Sequence, residues 1–382
     1  MLSGRGPFLV LSWRENDVCF AVASDRRGLH PVAQLIGRTE MRGAYFLGDE
    51  KIVVMDIPKP DPGSGEVLLE MQASGICGSD FRRYRQPSSE VNPDTLKVGG
   101  HEPCGVVAEV GGGVTNVKAG DRVMMHHYSG CRQCAMCEIG YTQMCLEGRE
   151  TYGFTMDGGH QDFLLVPDYT CVPMPEALSF EAGAAIACGT GTAHHAVKRL
   201  APKPGETVAV FGQGPVGLSA TMFAASMGAK VIAVDTIDSR LALAKDLGAV
   251  ETVDASTKDV VGVVKEIAGG DGSDVTLDAT GIPDVRLQAV DSVRVWGRVC
   301  FVGEGNTTTF DISDQIIHRQ LTIYGSWTFS LGGLAETANY VVDNDMPMGK
   351  LITHTYPLDE IDEAYRMFAS GASGKVVVEI GR

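Results

Sequence analysis

Along the chain, hydrophobic and polar positions change texture near residue 207. From Glu66 to about Pro173 the apolar residues come in short runs, among them Val67-Leu68-Leu69-Glu70-Met71 and Gly105-Val106-Val107-Ala108-Glu109-Val110. Gly and Pro clusters such as Gly111-Gly112-Gly113 cut these runs apart, a pattern that predicts an irregular β domain. From Thr207 onward, apolar strands alternate with helix-length segments: Val208 to Phe211, Val216 to Met227, Val231 to Val234 and Arg240 to Leu247. The alternation continues through Val275-Thr276-Leu277-Asp278 and Arg298-Val299-Cys300-Phe301-Val302. It predicts a parallel sheet covered by helices. Leu351 to Lys375 reads as strand, helix and a return to the first domain. The expected organisation is therefore a first domain from residues 41–189 and 331–382, and a second from 190–330. Residues 1–40 lack a clean hydrophobic period and carry five Arg and four acidic residues. They read as an N-terminal extension, unstructured or preceding a true start at Met41.

Composition narrows the function classes. With 382 residues, 44% hydrophobic and 21% charged, the chain lies in the range of two-domain globular proteins. A formal charge of −16 repels phosphate backbones and anionic lipid surfaces, so neither nucleic acid nor membrane is expected as a partner. No run of 18 or more apolar residues predicts a spanning helix, and the default location is cytoplasmic. Ten cysteines are too sparse for a disulfide scaffold, and their uneven spacing raises metal binding instead.

Gly212-Gln213-Gly214-Pro215-Val216-Gly217 follows an apolar strand and opens an apolar helix, the context in which G-x-G-x-x-G binds a dinucleotide. Gly212 serves the tight turn, Gly214 the approach of backbone to pyrophosphate, and Gly217 the packing of helix on strand. Pro215 and Val216 begin the helix, whose N-terminus faces the negative charge. Asp235 ends the next strand, where a carboxylate accepts from ribose hydroxyls and repels a 2′-phosphate, which argues for NAD over NADP. Arg240 is expected to support ribose and pyrophosphate beside it. A Gly-rich turn in a nucleotide-free α/β fold is the bland alternative.

Cys131-x2-Cys134-x2-Cys137-x7-Cys145 brings four thiols within one short lobe. Four thiolates with short spacers close a tetrahedron around Zn²⁺ and leave no open position, so this set reads as structural, with an iron–sulfur cluster or free thiols as alternatives. A second set is dispersed: Cys77 in Gly75-Ile76-Cys77-Gly78-Ser79-Asp80, His101 and Glu102 in Gly100-His101-Glu102-Pro103, and Cys188. Two thiolates and an imidazole leave a fourth zinc position for water or an alcohol, which favours catalysis, although a lone Cys or His is more often structural.

In this order the motifs resemble the zinc-dependent medium-chain dehydrogenase/reductase family, the alcohol, sorbitol and threonine dehydrogenases, over residues 41–382. The resemblance implies an α/β fold with an irregular β-rich GroES-like catalytic domain and a doubly wound parallel-sheet Rossmann cofactor domain. It implies Cys77, His101 and Cys188 as catalytic zinc ligands, with Glu102 able to approach or ligate the metal. Asp80 is implied to hold the ring of His101, and Ser79 to take the substrate proton. Thr192, in Thr190-Gly191-Thr192, matches the stretch that touches nicotinamide, and Lys375 a basic position that reaches the pyrophosphate. A relay His often found five residues after the first cysteine is Arg82 here, one of three arginines in Phe81-Arg82-Arg83-Tyr84-Arg85 that read as a solvated face. Trp327 and Phe329 are candidate pocket walls. His126, His127, His160, His194 and His195 read as packed or surface residues.

The expected activity is oxidation of a polar secondary alcohol or polyol to a ketone by hydride transfer to NAD, with two Zn²⁺ per chain, one catalytic and one structural. The expected partners are a small-molecule alcohol or ketone and further copies of the chain in a homodimer or homotetramer. A general primary or secondary alcohol dehydrogenase or aldehyde reductase is the alternative, and a catalytically silent cofactor-binding interaction protein the alternative of another class.

Overall fold

The computed structural model describes residues 8–14, 17–23, 40–256 and 259–381. Two sheets organise it. The first has seven strands, and its centre is Glu66–Gly75, which pairs with Pro103–Val110 along one edge and with Phe163–Pro167 and Lys375–Glu379 along the other. Val67, Leu68 and Leu69 are consecutive and all fully buried, as a strand covered on both faces requires. The late strands Ile352–Pro357 and Lys375–Glu379 join this early sheet, so the chain does return to its first domain. Its polar spacing comes from turns and short helices rather than from strand alternation.

The second sheet has six parallel strands in the order Ala249–Asp254, Lys230–Asp235, Thr207–Phe211, Ser273–Asp278, Val293–Phe301, Thr322–Gly325. Chain order reverses direction between Thr207–Phe211 and Ser273–Asp278, and ligands of doubly wound sheets bind at the carboxyl ends of the strands flanking such a switch. The glycine turn leaves Thr207–Phe211 at that point.

Between the sheets runs an almost unbroken helical connection. It passes from Phe180–Ala185, capped by the Ser179 hydroxyl on Ala182 N at 3.2 Å, through a π-helical turn at Ile186–Thr190, into Gly191–Leu200. Ala184, Ala185, Ile186, Ala193 and Ala196 are buried in one apolar cluster with Ala73 and Met124 of the first sheet and Val208 and Val231 of the second. Small side chains let this connection press against both sheets, which fixes the two domains around the site described next.

Part of the N-terminal extension departs from expectation. Phe8–Arg14 and Asp17–Ala23 pair antiparallel, from Phe8 against Ala23 to Arg14 against Asp17. Two runs rich in β-branched and aromatic residues satisfy the strand rule despite lacking a long period. The rest of residues 1–39 lies outside the described residues. Among the described residues no helix is long and apolar enough to cross a membrane.

Candidate metal centres and cofactor turn

The dispersed set converges. Cys77 stands at the end of the central strand of the first sheet, just before a short helical turn at Gly78–Asp80. His101 and Glu102 precede Pro103–Val110, and Cys188 sits in the π-helical turn. The ligand atoms of Cys77, His101, Glu102 and Cys188 all lie within 4.8 Å of one another. The wider π turn, a form frequent at functional sites, is what presents Cys188 from an otherwise regular connection.

Asp80 fixes His101 from behind. Its Oδ1 is 2.8 Å from His101 Nδ1, and its Oδ2 accepts the Cys77 N–H at 2.9 Å. With Nδ1 engaged, Nε2 is the nitrogen turned toward the other donors, and Ser79 Oγ lies 3.2 Å from it. Burial opposes protonation of His101, yet the Asp80 carboxylate and the Cys77 sulfur outweigh it and hold the imidazole well above its ordinary pKa. The Cys77 thiol is held well below its ordinary value, first by its hydrogen bond with Cys188 and further by His101 and Lys375. Two sulfurs, an imidazole and a carboxylate in this proximity form a donor set suited to zinc.

Glu102 is fully buried, and burial pushes its carboxyl up to about 7 against the pull of Lys375. The Lys375 ammonium pairs with Glu102 Oε2 and also donates to Ile76 O at 2.9 Å. Lys375 is 1% exposed and turned to the carboxylate, since a carboxylate buried this deeply requires a counter-charge. Gly75 makes room for the pair: a Cβ there would lie 1.8 Å from Glu102 Oε2.

The four-cysteine lobe is built differently. Cys131 and Cys137 Sγ are 4.0 Å apart, and Cys134 and Cys145 Sγ 3.9 Å. These separations are far too long for disulfides and close to the ~3.8 Å edge of a tetrahedron with Zn–S bonds of about 2.3 Å. Backbone N–H groups of Cys134, Leu146 and Cys131 point at Cys131, Cys134 and Cys145 Sγ at 3.3–3.4 Å. The N–H of Leu146 is the largest influence drawing Cys134 down to about 6. Ile139 and Leu146 are 62% and 70% exposed, so the lobe has little apolar interior to hold it.

At the cofactor turn, Gly212 has φ +86° and Gly214 precedes Pro215, the first helical residue. A Cβ at Gly217 would lie 1.7 Å from Gly212 O, so the helix packs on the turn only with glycine there. Val216 follows Pro215 in that first turn. Asp235 is 8% exposed; its Oδ2 accepts Gln213 N, and its Oδ1 accepts Thr236 N at 2.8 Å and Ile237 N at 3.0 Å. Its carboxylate therefore clamps the glycine turn to the next strand. Arg240 Nη1 stands 4.0 Å from it. Thr192 is buried in the first turn of Gly191–Leu200, and Thr190 Oγ1 bonds Ser219 Oγ of the glycine-turn helix at 3.1 Å.

Arg82 is exposed and Arg85 pairs with Glu50, as a solvated face would have it, whereas Arg83 is held by Gly153 O and Lys97 O. Trp327 walls a cavity of 560 Å³ together with Met136, Ile139, Tyr141, His195 and Glu304, while Phe329 is wholly buried. Edge-on and tilted ring contacts run from the cavity wall to the donor set: Trp327 meets Tyr128 at 5.8 Å, Tyr128 meets His127 at 4.2 Å, and His127 meets His101 at 5.2 Å. His126, His127, His160 and His194 are buried. The sequence reading missed Tyr128, whose single aromatic ring has no spacing to mark it. It also missed the Glu102–Lys375 pair, for which the only signal is an acid inside an apolar, glycine-flanked turn.

Comparison with known proteins places both halves. Residues 63–176 match the alcohol dehydrogenase GroES-like domain, and residues 215–343 match zinc-binding dehydrogenases. The chain is 38% identical over 347 residues to an uncharacterized zinc-type alcohol dehydrogenase-like protein of Escherichia coli K12, covering 88% of this chain and 98% of that one. It is 31% identical over 350 residues to a sorbitol dehydrogenase of Bombyx mori, covering 90% and 99%. An alcohol dehydrogenase of Escherichia coli CFT073, solved with NADH, superposes with a TM-score of 0.80 at 26% identity, covering 90% of this chain and 100% of that one.

Proposed function

Since the chain belongs to the zinc-dependent medium-chain dehydrogenase/reductase family, we propose that it oxidises a polar secondary alcohol or polyol to a ketone, with NAD as hydride acceptor. The observation that carries this reading is the convergence of Cys77, His101, Glu102 and Cys188 within 4.8 Å, beside the Ser79 hydroxyl and at the junction with a dinucleotide-type turn. When bound, zinc supplies the acidity that lowers the pKa of an alcohol hydroxyl, and NAD supplies the acceptor for the hydride. Cys77, His101 and Cys188 would hold the metal, with Glu102 as a fourth donor in reach, and the four-cysteine lobe would hold a second, structural zinc.

The chain's own residues do the rest. Asp80 fixes the His101 tautomer so that Nε2 is the donor. Ser79 Oγ, 3.2 Å from that nitrogen, accepts the hydroxyl proton as its own proton passes on to water. Arg82 is solvated, so the proton leaves by water and not through a side-chain relay at that position. Asp235 retains lone pairs for a ribose hydroxyl, and its charge disfavours a 2′-phosphate.

The polyol reading leans on the spelling of the Cys77 and His101 motifs and on the sorbitol dehydrogenase relative. A second reading, a general alcohol dehydrogenase, is favoured by Met136, Ile139 and Met144 on the cavity wall. The test is NADH formation by zinc-loaded protein on matched monoalcohols, vicinal diols and sugar alcohols, with NADP alongside. Preferential turnover of the polyhydroxy set with NAD is expected; turnover confined to monoalcohols moves the assignment to the second reading, and preference for NADP overturns the role of Asp235.

A further inference from the structure

Residues 326–330 cross from the second sheet back to the first domain, between the strand Thr322–Gly325 and the helix Leu331–Asp343. This crossing is tied at both ends. On the sheet side Ser326 N donates to Phe301 O at 3.0 Å, and Arg199 Nη1 donates to Gly325 O at 2.5 Å. On the other side the ties come from the four-cysteine lobe. Gln143, in the turn Thr142–Met144 that precedes Cys145, donates from Nε2 to Phe329 O at 2.9 Å, and Gly140 O accepts Leu331 N at 2.9 Å. His126 Nε2 stands 3.1 Å from the same Phe329 oxygen, so both lone pairs of that carbonyl meet a donor. Gln143, His126 and Phe329 are all fully buried.

Between the two sets of ties the backbone is strained. Thr328 has φ +48°, a left-handed conformation that a β-branched side chain adopts rarely and at a cost. Its hydroxyl is buried without a hydrogen-bond partner among the described residues, so no bond of its own offsets that cost. Its neighbours hold it there. Phe329 is pinned by Gln143 and His126, and its ring is pressed to Gly191, where a Cβ would lie 2.6 Å from Phe329 Cε1. What the strained residue sets is the course of Trp327 beside it. Trp327 walls the 560 Å³ cavity together with Met136, Ile139, Tyr141 and Met144 of the lobe, and its ring meets the guanidinium of Arg149, just past Cys145, at 4.9 Å. The lobe thus supplies part of the cavity wall and tethers another part.

We infer that the four-cysteine lobe is a specificity element as well as a metal site: through Gln143 it holds the strained crossing in place, and Gln143 is thereby a positioning residue for Trp327, the wall that receives the substituents of the alcohol. The inference rests on the reading of the chain as an alcohol dehydrogenase. A segment under strain relaxes when one of its ties is cut, and a wall that has moved binds substrate and transition state less well by the same amount. A clamp that only bolts the domains together would lower stability and leave substrate binding as it was.

Gln143→Leu removes the donor and keeps the bulk. At saturating NAD the expected result is a KM for the preferred alcohol about 3–10-fold above wild type, the worth of one neutral hydrogen bond, with kcat within about twofold. The emission of Trp327, taken as the difference between each protein and its Trp327→Phe counterpart, is expected to shift even without alcohol. Thr328→Gly is the counter-test. Glycine takes φ +48° without strain, so in the Gln143→Leu background it is expected to return both KM and Trp327 emission toward wild type, where a purely structural clamp would loosen further. His126→Phe, which removes the other donor to Phe329 O, is expected to move both readouts in the direction of Gln143→Leu, and it decides the matter if that variant does not fold. Wild-type KM and emission in the folded single variants, or a double variant worse than Gln143→Leu, overturn the inference. A zinc-loaded wild type that reduces no NAD with any alcohol overturns the dehydrogenase reading and the inference with it, whereas turnover with KM and emission unmoved overturns the role of Gln143 alone.

Discussion

On the proposed reading, the lobe at Cys131–Cys145 and the set at Cys77, His101, Glu102 and Cys188 would answer the same coordination problem in opposite ways. The lobe draws all four donors from one short stretch of chain, satisfies its sulfurs with neighbouring backbone N–H groups, and leaves Ile139 and Leu146 in solvent. The other set draws its donors from separate elements of the first domain and from the helical connection that leaves it, and buries His101, Glu102 and Cys188. The lobe's ligands can be local because they have only to close a tetrahedron. A site that must also admit a substrate and meet a cofactor needs donors delivered from several directions, each with its own support: Asp80 for His101, Lys375 for Glu102, the π-helical turn for Cys188. Four sulfurs saturate zinc; a mixed set leaves a position to work with.

The contrast is broken most directly at the ligands. Cys77→Ser is expected to lower kcat by about 10³-fold or more, the loss of several kcal/mol of Lewis-acid stabilisation, and to lower zinc content from two to one per chain while the melting temperature changes little. Turnover unchanged in a fully zinc-loaded sample would remove the catalytic assignment. Asp80→Asn keeps shape but lets the amide present the wrong partner to His101. A loss of about 10–100-fold in turnover or zinc affinity is expected, and activity within twofold of wild type would show that the ring needs no such anchor. Cys134→Ser should do the reverse of Cys77→Ser. It is expected to lower the thermal midpoint by about 5–10 °C while turnover per folded molecule stays within about threefold, as measured by calorimetry and active-site titration. A collapse of turnover without loss of fold would merge the two sites into one function.

The smallest effect belongs to the scaffold around both. Burial holds His160 and His194 at about 4, below the ordinary 6.5. The unfolded chain therefore binds more protons than the native one between these values, so this contribution is complete above about pH 6.5 and is lost as pH falls toward 4. His194→Gln, at a side chain that meets Thr337 Oγ1 at 2.9 Å, is expected to flatten part of that slope in urea titrations run from pH 7 to pH 4.5. An unaltered slope would mean that His194 takes up its proton as readily in the native state as in the unfolded chain.

How much was legible in the sequence follows the same division. The lobe could be read from spacing alone because its geometry is local, and so could the glycine turn, since a strand, a tight turn and a helix start are neighbours in the chain. The alternation after Thr207 indicated the parallel sheet for the same reason. Cys77, His101 and Cys188 carry no spacing that links them, and only their order within a family pattern brought them together. The pairing of Lys375 with Glu102 was not legible because the two lie far apart in sequence, and nothing local to Lys375 says that the strand Lys375–Glu379 pairs beside Gly75. The pairing of Phe8–Arg14 with Asp17–Ala23 was passed over because two short apolar runs have no long period.

The account's central claim, that only the buried set opens to substrate, is tested most directly by replacing zinc with cobalt and following the thiolate–cobalt absorption as alcohol is added. The prediction is a saturable spectral shift in the wild type that is absent from Cys77→Ser, with the lobe's cobalt bands unchanged in both. A shift that survives in Cys77→Ser, or a wild-type spectrum indifferent to every alcohol that is turned over, would contradict it.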